Sequence, residues 1–274
     1  MKKIFALSLL VVMLFAASAS ATVTVGRHSM LNFTESDMVK LMQESTHREF
    51  FVGLDVTDIA IKFYDTLVLM QMALNKGDVQ VLSLPQCVAE YMLNNNNNNY
   101  AIKGIDWWFI SSACTLNFAF LEDNKTLQKR FNDALDDMTR LGVLGMLEHK
   151  YITDPEPNTL SPVEFPKFPG EPTITVAVTG DLPPIDYVAP DGTPAGYNTA
   201  LLAEIANRLK VNINLINVET GARAAALQSG RADVAFWFQS NMDDTIPAID
   251  VPQGLIISKP YYKWNEQYFI GLKK

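Results

Sequence analysis

The side chains best suited to chemistry gather late in the chain, in DLPPIDYV (181–188), ETGARAAALQSG (219–230) and FWFQS (236–240). Arg223 carries a planar, five-donor fork that suits a carboxylate held bidentately. Tyr187, Trp237 and Phe238 offer stacking faces. Thr220, Gln239, Ser240 and, earlier in the chain, Ser83 offer neutral hydrogen-bonding groups. Trp237 and Phe238 alternate along one predicted strand, so only one of them can face a cleft. Such a set suits the binding of a small polar molecule in a mostly apolar pocket with a few polar anchors.

Catalysis asks for more: a nucleophile, a base and an orienting group in convergent spacing, or an acid with a tuned pKa. Asp181 and Asp186 are the available acids, and DLPPID places them in a loop, where solvated aspartates are ordinary. No enzyme is expected. The three histidines (His28, His47, His149) are scattered, and no CxxC or Cys/His ligand spacing occurs. Neither a metal site nor a cofactor is expected.

The elements that must position these groups begin after a leader. MKKIFALSLLVVMLFAASASA has two lysines, an apolar run and small residues at Ala19 and Ala21, the pattern of a signal peptide cleaved after Ala21. The apolar run is shorter than the ~20 residues that span a bilayer. Removing Lys2 and Lys3 takes the formal charge from −8 to −10. No basic cluster remains, which argues against nucleic acid and against an anionic membrane surface. Cys87 and Cys114 can form a disulfide in an oxidising compartment or remain buried thiols, and the sequence leaves both open.

Thr34, Glu35 and Asp37 read as a helix start. Strands are predicted at 50–54, 59–63, 79–84, 107–110 and 115–121, and Asp65 is predicted to cap a helix that Gly77 ends. Six asparagines (94–99) suit a surface loop. A helix is predicted over 125–141. Residues 153–172 contain six prolines and read as an extended linker. Beyond it, strands at 174–178, 211–218 and 232–238 alternate with helices at 198–209 and 221–229, an order that calls for a parallel sheet.

From Ile174 to Tyr262 the order of motifs is a strand, a Pro-Pro loop, D-G-x-x-x-G-Y, a helix, a strand, LQSGRADV and SKPYY. This order resembles the first lobe of the periplasmic amino-acid-binding family of solute-binding proteins. FYDTLVLMQMALNKGDVQVLSLPQCVAEYML resembles that family's second lobe, and NFAFLEDNKTLQKRFNDALDDMTRLGVLGMLEHKYI its return strand and closing helices. The resemblance implies an α/β, two-lobe (type 2) periplasmic-binding-protein clamshell whose parts stand in circularly permuted order. The implied division is a signal peptide (1–21), lobe two (22–112), the return hinge and closing helices of lobe one (113–152), the linker (153–172), lobe one (173–262), and a hinge strand into lobe two (263–274). Residues 22–61 have no clear counterpart.

The resemblance further implies a periplasmic protein that captures an amino acid or related carboxylate for an ABC-type permease, without membrane insertion of the mature chain. It gives Arg223 the ligand carboxylate, so that Arg223→Ala is expected to weaken binding with little effect on stability. It places the loop from Gly180 to Tyr187, with Asp181, together with Thr220, Trp237, Phe238, Gln239, Ser240 and Ser83, around the cleft. Three departures stand out: Thr245 falls where the family carries the arginine for an α-carboxylate, Ser83 where it carries an aspartate for an α-ammonium, and Ile185 where it carries an aromatic after the Pro-Pro pair, with Tyr187 two residues on. The alternatives are a ligand-sensing or interaction protein on the same fold and, further off, a cyclodehydratase-like enzyme.

Overall fold

The computed structural model describes residues 22–44, 59–95, 99–106, 115–153, 162–189, 191–240, 250–263 and 266–273. The signal-peptide reading, the strands expected at 50–54 and 107–110, half of the asparagine run, the start of the linker, Cys114 and Thr245 lie outside the described residues.

In chain order the elements are β1 (Val23–His28), α1 (Glu35–Glu44), β2 (Ile59–Tyr64), α2 (Leu67–Lys76), β3 (Val81–Pro85), α3 (Gln86–Asn95) and β4 (Tyr100–Ile105). Then come β5 (Thr115–Leu121), α4 (Lys125–Arg140), α5 (Val143–Glu148), β6 (Thr173–Val178), β7 (Asp181–Leu182), β8 (Asp186–Val188) and β9 (Pro194–Ala195). The chain ends with α6 (Gly196–Leu209), β10 (Asn212–Asn217), α7 (Arg223–Gln228), β11 (Val234–Ser240), β12 (Leu255–Ile257), β13 (Tyr262–Lys263) and β14 (Gln267–Leu272).

Two principal sheets organise these elements. One has the order β2-β1-β3-β14-β4 and the other β10-β6-β11-β5-β12 with β13 beside β5; we call each sheet with the helices packed on it a lobe, the first lobe two and the second lobe one. As expected from their β-α-β-α-β order, β6, β10 and β11 pair in parallel. The halves of the chain exchange strands. β5, from the front half, lies antiparallel between β11 and β12, and β14, from the back half, lies antiparallel between β3 and β4. Within the stretch 22–61, which has no clear counterpart in the family, Val23–His28 and Glu35–Glu44 supply β1 and α1, and β1 joins β2 to β3 in parallel.

Local chemistry explains the boundaries. Thr34 and Asp37 cap α1 reciprocally: the Asp37 N–H donates to Thr34 Oγ1 (3.2 Å) and the Thr34 N–H to Asp37 Oδ2 (2.9 Å). α2 is capped by Thr66, whose Oγ1 accepts from the Leu69 N–H (3.2 Å), and not by Asp65 as expected. Asp65 is engaged across the interlobe cleft instead. Gly77, with φ +81°, ends α2 in the left-handed conformation that costs glycine least.

α4 buries Leu127, Phe131, Ala134, Leu135 and Met138, one apolar stripe at helical spacing. The stripe packs on β5 through Phe118, whose ring meets Phe131 (5.1 Å), Phe236 (4.9 Å) and Tyr261 (4.7 Å). This cluster therefore joins front-half and back-half residues in one core. The described part of the proline-rich linker runs along lobe one: the Val163 N–H donates to the Pro194 carbonyl (2.9 Å), and Asn212 Nδ2 donates to the carbonyls of Phe168 and Glu171 (2.9 Å each).

Candidate functional site

The carboxyl ends of β1 and β3 in lobe two face the end of β11 in lobe one, as strand ends do where α/β sheets bind ligands. Between them lies a cavity of about 20 Å³, lined by Arg27, His28, Ser83 and Gln267 from lobe two and by Trp237 and Gln239 from lobe one. That volume holds about one water, and the two lobes meet around it.

The cavity is shaped by a break in β11. Its register against β5 shifts between Ala235 and Phe238, and Trp237 takes φ +40°. A bulky residue in that region is unusual and marks a backbone held by its surroundings. The shift turns Trp237 into the cavity, where its indole N–H donates to Thr179 Oγ1 (3.2 Å) and its ring meets His28 edge-on at 5.4 Å. Phe238 goes the other way, fully buried in the core, which corrects its placement in the cleft.

Arg223 is also corrected. It is fully buried, and its donors are already engaged: Nε with the Thr220 carbonyl (2.8 Å), NH1 with the Trp237 carbonyl, and NH2 with both Asp250 oxygens (3.1 and 3.0 Å). Its guanidinium also lies 4.7 Å from the rings of Trp237 and Phe238. Thr220, likewise buried, donates its hydroxyl to the Asp65 carbonyl (2.9 Å). Ser240 bonds Thr115 and Asn117 on the neighbouring strand (2.8 and 3.0 Å). Of the residues expected at the site, Ser83, Trp237 and Gln239 line the central cavity. Asp181 and Tyr187 lie apart from them, on a more open cavity of about 400 Å³ at the rim with Leu67 and Tyr91.

Sequence reasoning missed Arg27, His28, Gln267 and Asp250. The signal was present for the first two: VTVGRH is a β-rich run, and the end of a parallel strand faces the cleft by the same rule applied to Ser83. Asp250 pairs in space with a residue 27 positions away, which no local pattern reveals.

The closed lobes are held by carboxylates at chain N–H groups. Asp181 Oδ2 of lobe one accepts from the Leu67 N–H at the start of α2 (2.7 Å), a position where negative charge is favoured. Asp65 Oδ1 of lobe two accepts from the Gly221 N–H (3.1 Å), and Asp250 Oδ1 accepts from the Leu31 N–H (3.1 Å). Asn32 Nδ2 donates to the Val251 carbonyl (2.8 Å). Asp186, expected as a solvated loop aspartate, is buried because the hairpin β7–β8 folds it inward onto the Thr179 N–H (2.9 Å) and hydroxyl (3.0 Å).

Burial, with Arg223 nearby and Asp65 opposing, depresses the His28 imidazole from 6.5 to about 3. Burial raises the Asp181 carboxyl from 3.8 to about 6, against the Leu67 N–H that favours its charge. Folded His28 thus binds fewer protons than the unfolded chain between pH 6.5 and 3, so its contribution falls as pH falls through that window. Folded Asp181 binds more between pH 6 and 3.8, so its contribution rises with acid there. From pH 6.5 to 4, His28→Gln is expected to make stability less sensitive to acid than in the wild type, and Asp181→Asn more sensitive. Urea unfolding across that range reads both slopes, and parallel pH profiles for all three proteins would refute the assignment.

Residues 174–250 match the profile of bacterial extracellular solute-binding proteins, family 3. No curated protein sequence matches the chain. Among solved structures, the chain is similar to the zinc-bound ligand-binding component of an ABC-type import system from Staphylococcus aureus (10% identity, TM-score 0.42). That alignment covers 91% of this chain and 65% of that one, so the chain spans less than two thirds of its length. It is also similar to the methionine-binding protein MetQ (10% identity, TM-score 0.41, 92% and 83% covered) and to the periplasmic aliphatic sulphonate-binding protein SsuA from Escherichia coli (10% identity, TM-score 0.39, 92% and 61% covered). No helix among the described residues is long and apolar enough to cross a membrane.

Proposed function

We propose that this chain, whose residues 174–250 carry the family-3 solute-binding signature, captures a small polar solute between its lobes outside the cytoplasm and presents it to an ABC-type importer. The observation that carries the reading is the cavity at the facing strand ends, where buried His28, Gln239 and Gln267 keep polar atoms without hydrogen-bond partners. Buried polar groups left unpaired cost about 1–3 kcal/mol each, and a solute or water in the cavity would offset that cost.

Circular permutation of the family's order belongs to the same proposal. It is supported by the exchange of β5 and β14 between the sheets and by the linker's course along one lobe. The start of β1 and the end of β14 lie at the same end of their sheet, two strands apart, roughly 10 Å by strand spacing. A short connection there would restore the family's order. Export through the leader read at 1–21 completes the proposal.

Native mass spectrometry of protein purified under mild conditions is the test. One small molecule retained per chain and released on unfolding is expected. A mass equal to that of the bare chain, with no solute raising its thermal stability, would favour the sensor or interaction reading instead, for which the nearly filled cavity speaks.

A further inference from the structure

The two arginines nearest the cavity are each neutralised within their own lobe. In lobe one, Arg223 holds Asp250 bidentately, and Asp250 Oδ2 also accepts from the Gln239 N–H (3.3 Å). In lobe two, Arg27 pairs with Asp106, which also accepts from Ser83 Oγ (2.7 Å). All four charged groups are at most 2% exposed. Because neither pair spans the cleft, opening the lobes leaves both intact. At Arg223 a solute carboxylate would have to displace the buried Asp250, and breaking such a pair leaves an uncompensated charge; at Arg27 it would lie against the Asp106 carboxylate.

The uncharged side chains that line the cavity are of another kind. Among the described residues there, Gln239 Oε1, Gln267 Oε1 and both ring nitrogens of His28 have no hydrogen-bond partner, on side chains at most 8% exposed. An amide oxygen only accepts, and a neutral imidazole accepts at one nitrogen and donates at the other. Ser83 cannot complement a solute's charge either, since its hydroxyl donates to Asp106 and accepts from Gln267 Nε2 (3.0 Å).

Resting on the solute-capture reading, we infer that this cleft selects a small uncharged solute with two or more N–H or O–H donors and an acceptor, as in amides and ureas, and excludes free carboxylates and amines. Gln239 and Gln267 receive the donors, His28 takes one more and supplies a donor of its own, and Trp237 forms the apolar wall. Asp250 is then a specificity residue: it fills from within the place that a ligand carboxylate would take on Arg223, and its bond to Leu31 closes the lobes without one.

Three probes of matched length separate the possibilities: malonamide, malonate and 1,3-diaminopropane, each titrated while thermal unfolding is followed. Malonamide is expected to raise the midpoint saturably, with an affinity at least tenfold above the other two. Gln239→Met should lower malonamide affinity by tenfold or more, and Asp250→Asn, by releasing Arg223, should raise malonate affinity by a similar factor. If Asp250→Asn fails to fold, the wild-type ranking and Gln239→Met still decide. Malonate binding as tightly as malonamide, or a carboxylate found as the retained solute, would overturn this inference and leave solute capture standing. No binding of any probe together with no retained solute would overturn both.

Discussion

Arg223→Ala is expected to destabilise the unliganded protein by about 3–5 kcal/mol, because it strands Asp250 as a buried, unpaired carboxylate. The arginine also ties the start of α7 to the displaced Trp237 carbonyl, so its loss loosens the cavity wall. Arg223→Lys keeps the charge, but a single ammonium cannot span Thr220, Trp237 and both Asp250 oxygens, and it should fall between. The double variant Arg223→Met/Asp250→Leu removes both charges and should recover part of the loss; the rest reflects the Leu31 and Gln239 N–H groups that Asp250 also serves. Chemical unfolding of the four proteins measures this. Wild-type stability in Arg223→Ala would return the guanidinium to the role that the motif alone suggested, a contact for ligand.

Phe118→Ala is expected to cost about 3–5 kcal/mol, the range for removing a buried aromatic, and to lower the unfolding midpoint by roughly 10 °C in a chain of this size. Phe118 lies on β5 and packs on Phe131 of the front half and on Phe236 and Tyr261 of the back half. Its loss should therefore weaken one shared transition. Calorimetry distinguishes the cases: a split profile with only one component shifted would mean that the halves fold as separate units.

The sequence made the regular parts of this architecture legible. The apolar period of α4, the β-α-β-α-β order after the linker and Gly77 at the end of α2 all follow from short-range rules, and the structure repeats them. What escaped was set at long range. Asp65 looked like a helix cap because it precedes the helix, yet Thr66 takes that place and Asp65 reaches Gly221 in the other lobe. Arg223 sits in a stretch that resembles a ligand-binding motif, but the carboxylate that answers it belongs to the chain itself, and sequence pattern cannot show that Asp250 arrives there. Trp237 and Phe238 were separable by alternation. Which of them faces the cavity depended on a register shift that no composition signals.

If the two lobes close on a solute, reporters placed one on each lobe draw together when it binds. Spin labels at exposed Met72 on α2 and Met146 on α5, introduced as Met72→Cys and Met146→Cys with Cys87→Ala and Cys114→Ser, place one reporter on each lobe. The interlobe distance distribution, measured with and without the solute identified by native mass spectrometry, reads that movement. A broad or two-peaked distribution is expected without solute, narrowing to its shorter component at saturation. A single distance unchanged by solute would contradict it.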